Sequence, residues 1–223
     1  MEKRRLLIGD YDTAADGLWT LAACKLTKAA QVQTFVSVPG RVAPLDLSTY
    51  LTDGQPYYDN ATLEAILESS EGDRLARKLR IDLMVNYLDG QTVKIYLPDD
   101  TDHYLVGRVQ VSPEYNDLAH AAVTVSAVCD PWLYAIAERV YTLTAAATAQ
   151  TAVLTNNGRR TLVPKVTVTG AGASVRIVSG AYSVALGPGT YDLPDLLLTT
   201  GNTPIKYSGS GVAKITYREA VLR

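Results

Sequence analysis

TVKIYLPDDTDHYLVGRVQVSPEYNDLAHAAVTVSAVCDPW, residues Thr92–Trp132, is the most informative stretch of this chain. An alternating run beginning at Thr92 is followed by an acidic turn and by two further strand-like runs, Tyr104–Val111 and Ala121–Cys129. Alternation with a period of two residues is typical of strands that bury one face of a sheet. The stretch therefore predicts antiparallel strands, and it contains no recognisable catalytic arrangement.

In the segment just before this stretch, the spacing of the apolar side chains changes from two residues to four. Between Gly72 and Gly90, apolar side chains recur every four residues at Leu75, Leu79, Leu83 and Tyr87. Asp73 stands ahead of the run as an N-cap, and Asp89-Gly90 ends it. We predict an amphipathic helix that packs this apolar face inward and turns other residues to solvent, namely Arg77, Lys78, Asp82 and Asn86.

The remaining sequence is punctuated by turns and is rich in strand-forming residues. In the first half, Gln33–Val38 and Leu63–Leu67 are strand-like, and Pro39-Gly40 turns the chain. Leu143–Thr155 suits a β connection. After Arg160 the pattern predicts the short strands of an antiparallel sandwich, with Gly187–Gly189 and Gly209–Gly211 as hairpins or bends: Val163–Thr169, Ser174–Val178, Tyr182–Leu186, Gly201–Tyr207 and Val212–Tyr217.

Charge divides the chain into two parts. Residues 1–140 hold 13 basic and 20 acidic residues, whereas residues 141–223 hold 8 basic and 3 acidic ones. This asymmetry predicts two domains, 1–140 and 141–223, whose opposite fields can steer copies together. The only dense cationic cluster is flanked by acids, so we expect a solvated helix face and no nucleic-acid recognition: Arg74, Arg77, Lys78 and Arg80.

Cysteine content and hydropathy indicate the redox and membrane environment that we expect for the protein. Cys24 and Cys129 are too few for a disulfide framework, and we expect both thiols to be buried. The basic start of the chain is followed by only Leu6–Ile8 before polar residues, so no export signal is expected. The longest apolar run, Trp132–Ala137, has six residues, against the roughly 20 of a membrane span. We expect a soluble protein made in a cytoplasm.

No motif with a catalytic mechanism is present. The acidic turn places Asp99, Asp100, Asp102 and His103 close together, but its spacing lacks the alternating oxygens, glycine and glutamate of a calcium loop, so we interpret it as a hairpin tip. His103 and His120 accompany no nucleophile motif, and no phosphate or dinucleotide loop is found. A carboxylate pair stays open as an alternative. We predict no enzyme, and no catalytic, cofactor-binding or metal residues.

The aromatic composition of the chain is compatible with a binding function. The chain has 14 tyrosines and one phenylalanine, and tyrosine suits positions where an apolar ring ends in water. We interpret Trp132 as a core or domain-junction residue, and Tyr11 and Tyr57-Tyr58 as candidates for exposed contacts.

A family resemblance follows from short motifs taken in order. The first half resembles the N-terminal domain of siphophage distal tail proteins, which are baseplate hub components of long non-contractile tails. The motifs that carry this resemblance are Val38–Arg41, Pro44–Ser48, Leu88–Gly90, Leu97–Asp100, Tyr104, Gly107-Arg108 and Asp130–Trp132. The second half resembles the family's galectin-like sandwich in Asn156–Gly158, Pro164, Gly201-Asn202, Ile205, Gly209, Gly211, Ile215 and Tyr217–Glu219. The resemblance spans nearly the whole chain.

The resemblance implies a mainly β fold: an α+β N-terminal domain with one main amphipathic helix, then a galectin-like antiparallel β-sandwich. It further implies a structural role in the virion, where six copies close into a ring at the distal end of a phage or prophage tail. The partners would be further copies, the tail tube protein, and the tip and receptor-binding proteins, with no cofactor. The alternative is a carbohydrate-binding module that contacts the host wall, although the second half lacks the Trp and His of a working galectin site.

Overall fold

The computed structural model of the chain describes residues 5–15, 19–50, 52, 54–69, 73–114 and 121–222. Residues 1–4, Gly72 and His120, to which some of the expectations above refer, lie outside these ranges. The chain divides into two compact units, of which the first ends at Leu133 and the second is Tyr134–Leu222. This division lies slightly ahead of the predicted boundary at residue 140, and the domain assignment stays a prediction.

The described residues are mostly β, as predicted, with α1 (Arg74–Leu88) as their single helix. That helix is not long and apolar enough to cross a membrane. The strands up to residue 130 are β1 (Leu7–Ile8), β2 (Tyr11–Asp12), β3 (Thr20–Thr27), β4 (Phe35–Val36), β5 (Leu45–Asp46), β6 (Ala61–Ser69), β7 (Thr92–Tyr96), β8 (His103–Glu114) and β9 (Ala121–Cys129).

The first unit is built on one antiparallel sheet with strand order β2-β1-β7-β8-β9-β6-β3. Strand β6 shows why the sequence folds this way, because its alternate residues Ala61, Leu63, Ala65 and Leu67 are buried while the residues between them face outward. Strand β9 alternates in the same manner. The predicted strands Leu63–Leu67 and Ala121–Cys129 are thus confirmed, whereas Gln33–Val38 is reduced to the short β4.

Helix α1 joins β6 to β7 and lies against β8. Its N-cap is Asp73, as predicted, whose carboxylate accepts a hydrogen bond from the backbone N–H of Leu75 at 3.0 Å. At the other end, the Asp89 carboxylate accepts from the N–H of Val111 at 2.9 Å, which ties the end of the helix to β8.

The predicted orientation of α1 is wrong. The buried helix residues are Arg77, Ile81, Met84 and Leu88, and the predicted inward residues are exposed, namely Leu75, Leu79, Leu83 and Tyr87. The helix carries two apolar stripes on nearly opposite sides, roughly 150° apart at 100° per residue, and the tertiary fold buries the one that contains Ile81, Met84 and Leu88. Arg77, which we expected at the surface, lies on that buried side.

The second unit contains longer strands than the sequence predicts. Predicted short strands on either side of glycine pairs are joined into single long strands, β13 and β16. From residue 133 onward the strands are β10 (Leu133–Ala135), β11 (Arg139–Ala145), β12 (Gln150–Asn156), β13 (Lys165–Ser179), β14 (Tyr182–Leu186), β15 (Gly189–Asp192), β16 (Gly201–Tyr217) and β17 (Ala220–Val221).

Bends in β13 and β16 turn the second unit into two layers. The first half of β16 pairs with β12 and its second half pairs with β11, while β13 pairs with β15 and then β14. Gly209 and Gly211 sit at the bend with φ of +123° and +101°, values that L side chains rarely adopt. A Cβ on Gly209 would lie 1.9 Å from the carbonyl oxygen of Ser174 on β13.

One continuous core fills the second unit. Its buried side chains come from both halves of the bent strands, with Val166, Ile177, Ile205 and Ile215 fully buried. Side chains from β11, β12 and β14, and the loop that follows β15, complete this core. The alternation predicted from sequence therefore holds, although two pairs of predicted strands are merged into β13 and β16.

Candidate interaction surfaces

The acidic turn between β7 and β8 is a hairpin tip, as predicted. Asp100 is buried and its Oδ1 accepts from the backbone N–H groups of Asp102 and His103, each at 3.1 Å, and contacts His103 Nδ1 at 3.0 Å. Asp99 and Asp102 are exposed. The carboxylate of Asp100 thus holds the turn, which accounts for its position without a ligand.

Within the described residues, no group of three or more His, Cys, Asp or Glu is placed to hold a metal ion. The two thiols differ from each other. Cys129 is buried, as expected, whereas Cys24 is exposed on the edge strand β3, so that expectation is wrong for Cys24. Burial, and then the nearby carboxylate of Asp130, raise the pKa of the Cys129 thiol to about 11, which keeps it protonated and unreactive.

The first exposed apolar surface is the stripe on α1 formed by Leu75, Leu79, Leu83 and Tyr87, here called the helix stripe. Each of these side chains is between 55% and 66% exposed. Residues four apart lie above one another on a helix, so the stripe is continuous. Tyr11 extends it, since the Tyr11 and Tyr87 ring centroids are 6.0 Å apart.

The second exposed apolar surface is the segment between β3 and β6, residues 31–58, here called the arm. The arm is held by hydrogen bonds within itself: β4 pairs with β5, Val32 N–H donates to the Tyr57 carbonyl at 2.9 Å, and Thr34 N–H donates to Ser48 Oγ at 2.8 Å. None of its described residues is buried. Its structure is therefore ordered by backbone bonds without a core of its own.

The arm is apolar as well as exposed. Phe35 is 57% and Tyr50 is 77% exposed, and further exposed side chains are Val32, Val36, Val38, Val42 and Tyr57. Its base is attached through Tyr58, whose ring meets the half-buried ring of Trp132 edge-on at 5.6 Å. Of the tyrosines predicted as exposed contacts, Tyr57 is exposed, while Tyr11 and Tyr58 are half-buried.

The outer face of the first unit's sheet is polar. Across β3, β6, β9 and β8, strand register aligns Lys25, Glu64, Ser126 and Gln110 in one row. A shallow groove of about 670 Å³ runs over this face, and its lining includes Glu64, Arg108 and Ser126. The lining combines acidic, basic and neutral polar side chains with apolar ones, among them Val128.

The tyrosines of the second unit are structural. The Tyr217 hydroxyl donates to the carbonyl of Thr155 at 2.6 Å, and Thr155 N–H donates to the Tyr141 hydroxyl oxygen at 3.2 Å. Burial, and then the hydrogen bond with Tyr141, raise the pKa of Tyr217 far above its usual value, whereas the same bond lowers the pKa of Tyr141. Every tyrosine of this unit is at least partly buried: Tyr134, Tyr141, Tyr182, Tyr191, Tyr207 and Tyr217.

Sequence reasoning did not find the two exposed apolar surfaces. A signal for the helix stripe was present, because α1 carries a second apolar series at Ile81, Met84 and Leu88. A helix that is apolar on two sides needs a partner on each. The arm offered only a weaker signal, in that apolar residues persist through a turn-rich segment without sustained strand or helix periodicity.

Comparisons with known proteins agree with the architecture. No protein-family model matches the chain, and no curated protein matches it. Among solved structures, the chain is similar to SPP1 Dit, whose crystal structure is described as a paradigm of the hub adsorption apparatus in phages that infect Gram-positive bacteria. The similarity covers 98% of this chain and 99% of SPP1 Dit, with a TM-score of 0.70 and 15% sequence identity. The fold implied by the sequence resemblance is therefore confirmed.

Proposed function

We propose that this chain is a structural hub protein of a phage tail, of the distal tail type. The observation that carries the proposal is the similarity of nearly the entire chain, both units in the same order, to the hub protein SPP1 Dit. A match that stops at one unit would indicate only a shared sandwich, whereas a shared two-unit chain favours a shared role.

The proposed role is a homohexameric ring formed by the first unit, placed in the virion between the tail tube and the tip and receptor-binding proteins. Two features of the first unit support assembly. The helix stripe and the arm are both apolar and exposed, and contiguous patches of this kind mark interaction sites in soluble proteins. The proposal assigns no catalysis and no cofactor to the chain, and synthesis to the host cytoplasm.

A purified sample tests the proposal. Light scattering after size exclusion, over a series of concentrations, is expected to give a mass six times the 24.0 kDa of one chain, and negative-stain images are expected to show rings with a central hole. A mass of one chain at every concentration, with no rings, would contradict a self-assembling hub.

Carbohydrate binding by the second unit, the alternative, has less support. Sugar sites usually expose an aromatic face for stacking, and the tyrosines of this unit are packed against its core or half-buried. A glycan array is expected to show no binding to the purified protein.

A further inference from the structure

We infer that the arm of one copy covers the helix stripe of a second copy, and this inference rests on the proposed function. The two surfaces belong to the same unit, both are aliphatic and aromatic in character, and neither is covered by the described part of the chain that carries it. The occupant of the helix stripe is thus a second copy of this chain.

The arm gains little stability from apolar contacts within its own chain. An isolated two-stranded hairpin is marginally stable in water, because ordering the backbone costs more than its few hydrogen bonds return. Strand pairing in the described part of the arm is limited to Phe35–Val36 with Leu45–Asp46 and one bridge between Gln31 and Tyr58, and no described arm residue is buried. Contact with another surface would supply the missing apolar burial.

The helix stripe by itself is too small for a stable interface. Specific interfaces bury roughly 800 Å² on each partner, and four partly exposed side chains fall well short of that area. Adding the arm brings in Phe35, Val36, Val38 and Tyr50, all exposed. A contact of arm on stripe therefore approaches an interface of ordinary size, whereas a contact of stripe on stripe leaves the arm uncovered.

The geometry of such a contact agrees with ring formation. An arm and a stripe are different surfaces, so the contact is heterologous: each copy uses its arm on one neighbour and its stripe on the other. Heterologous contacts close into a ring when the rotation between copies divides a full turn. Stripe-on-stripe pairing would instead be isologous and would stop at a dimer.

Charge supports the same pairing. On α1, Arg74 and Lys78 are exposed directly beside Leu75 and Leu79. In the arm, Asp46 is exposed and lies opposite Phe35 in the strand register, so a carboxylate neighbours the apolar ring. Hydrogen bonds from Ser48 lower the pKa of Asp46 and hold it ionised. An apolar contact with complementary charges at its rim fixes orientation.

A charge-introducing double variant tests the surface. Leu79→Glu with Leu83→Glu is expected to weaken assembly by roughly 100-fold or more in dissociation constant, because it buries two carboxylates at the centre of an apolar contact. Its circular dichroism spectrum is expected to match the wild type, since both leucines are exposed in the single chain. The matched control, Val140→Glu with Val153→Glu in the second unit, changes two exposed valines and is expected to leave assembly unchanged.

Cross-linking between copies identifies the occupant. In a background carrying Cys24→Ser, one preparation with Phe35→Cys and another with Leu83→Cys are mixed and oxidised mildly. A disulfide-linked pair containing one chain of each kind is expected, in at least tenfold excess over links in either preparation alone. Mass spectrometry of the linked peptides distinguishes it from links within one chain.

The outcomes separate the inference from the proposed function. If the Leu79→Glu, Leu83→Glu variant still forms hexamers, and the two cysteine preparations form hexamers without a mixed link, the arm-on-stripe contact is overturned and the hub proposal stands. A wild-type chain that stays monomeric and forms no mixed link would overturn both. A stripe that cross-links only to another phage protein would also contradict the inference, because the occupant would not be a second copy.

Discussion

The two units of this chain bury their apolar side chains to different extents. In the second unit, β13 and β16 bend back on themselves, and both halves contribute to one enclosed core. In the first unit the sheet buries one side of α1, yet the other side of α1 and the whole described arm keep apolar side chains in water. The second unit encloses its core with its own strands, whereas the first unit leaves apolar surfaces on α1 and the arm exposed.

This difference indicates where the interaction surface lies. Single exposed apolar residues are ordinary, but a continuous stripe together with an unburied arm is a specific arrangement. Under the proposed function, we expect the assembly contacts to lie on the first unit, whose apolar surfaces are exposed.

The two-layer arrangement of the second unit depends on the bend in β16 at Gly209. Gly209→Val is expected to lower the free energy of unfolding of the second unit by at least about 4 kcal/mol, since it combines a strained φ with a clash against the β13 backbone. Hydrogen exchange of β13 and β16 measures the loss. Both tryptophans, Trp19 and Trp132, lie in the first unit, so the fluorescence transition should not move. Gly187→Ala, where a Cβ meets open space, is the control, and an equal loss there would contradict the bend as the cause.

The two sides of α1 should respond oppositely to truncation. Ile81→Ala removes a buried side chain and is expected to destabilise the first unit by about 2–4 kcal/mol. Leu79→Ala, on the exposed side, is expected to change stability by less than about 0.5 kcal/mol. Urea unfolding followed by tryptophan fluorescence, at a concentration where the chain is monomeric, measures both. Equal losses would mean that the helix stripe is covered within its own chain.

Alkaline pH should destabilise the first unit through Cys129. The pKa of this thiol is raised from 9.0 to about 11 in the folded chain, so its stabilising effect is complete below pH 9 and is lost as pH rises toward pH 11. The expected loss by pH 11 is roughly 2 kcal/mol. Comparing Cys129→Ala with the wild type at pH 8 and pH 11, by tryptophan fluorescence, isolates this effect. A wild-type pH dependence that persists in Cys129→Ala would assign it to another group.

The hairpin tip gives the smallest effect. Asp100→Ala removes the acceptor of two backbone N–H groups and is expected to cost about 1–2 kcal/mol. Asp102→Ala, at an exposed position of the same turn, is expected to be nearly neutral. Thermal unfolding of the two variants measures the difference. If calcium raised the melting temperature of the wild type but not of Asp100→Ala, the interpretation as a turn without a ligand would be wrong.

Local patterns accounted for much of the fold. The alternation in β6 and β9, the N-cap at Asp73 and the acidic hairpin tip were all predicted, because each depends on neighbours close in sequence. The long strands of the second unit were not, since whether Gly209–Gly211 ends a strand or bends it depends on the partner strand β13.

The interaction surfaces were less accessible to sequence reasoning. The choice between the two apolar stripes of α1 is made by the sheet it packs on, so periodicity alone selected the wrong one. Arg77 lies on the buried side of the helix, whereas its charge favoured a surface position. The exposure of the arm is likewise a tertiary property, and the family resemblance indicated assembly without indicating which residues carry it.

Hydrogen exchange of the whole chain, compared between a dilute monomeric sample and the assembled form, tests most directly whether the first unit is completed by another copy. We expect assembly to slow exchange in residues 31–58 and in α1 by at least about tenfold and to leave exchange in β11 to β16 unchanged. Slower exchange confined to the second unit, with the arm and α1 exchanging as in the monomer, would contradict it.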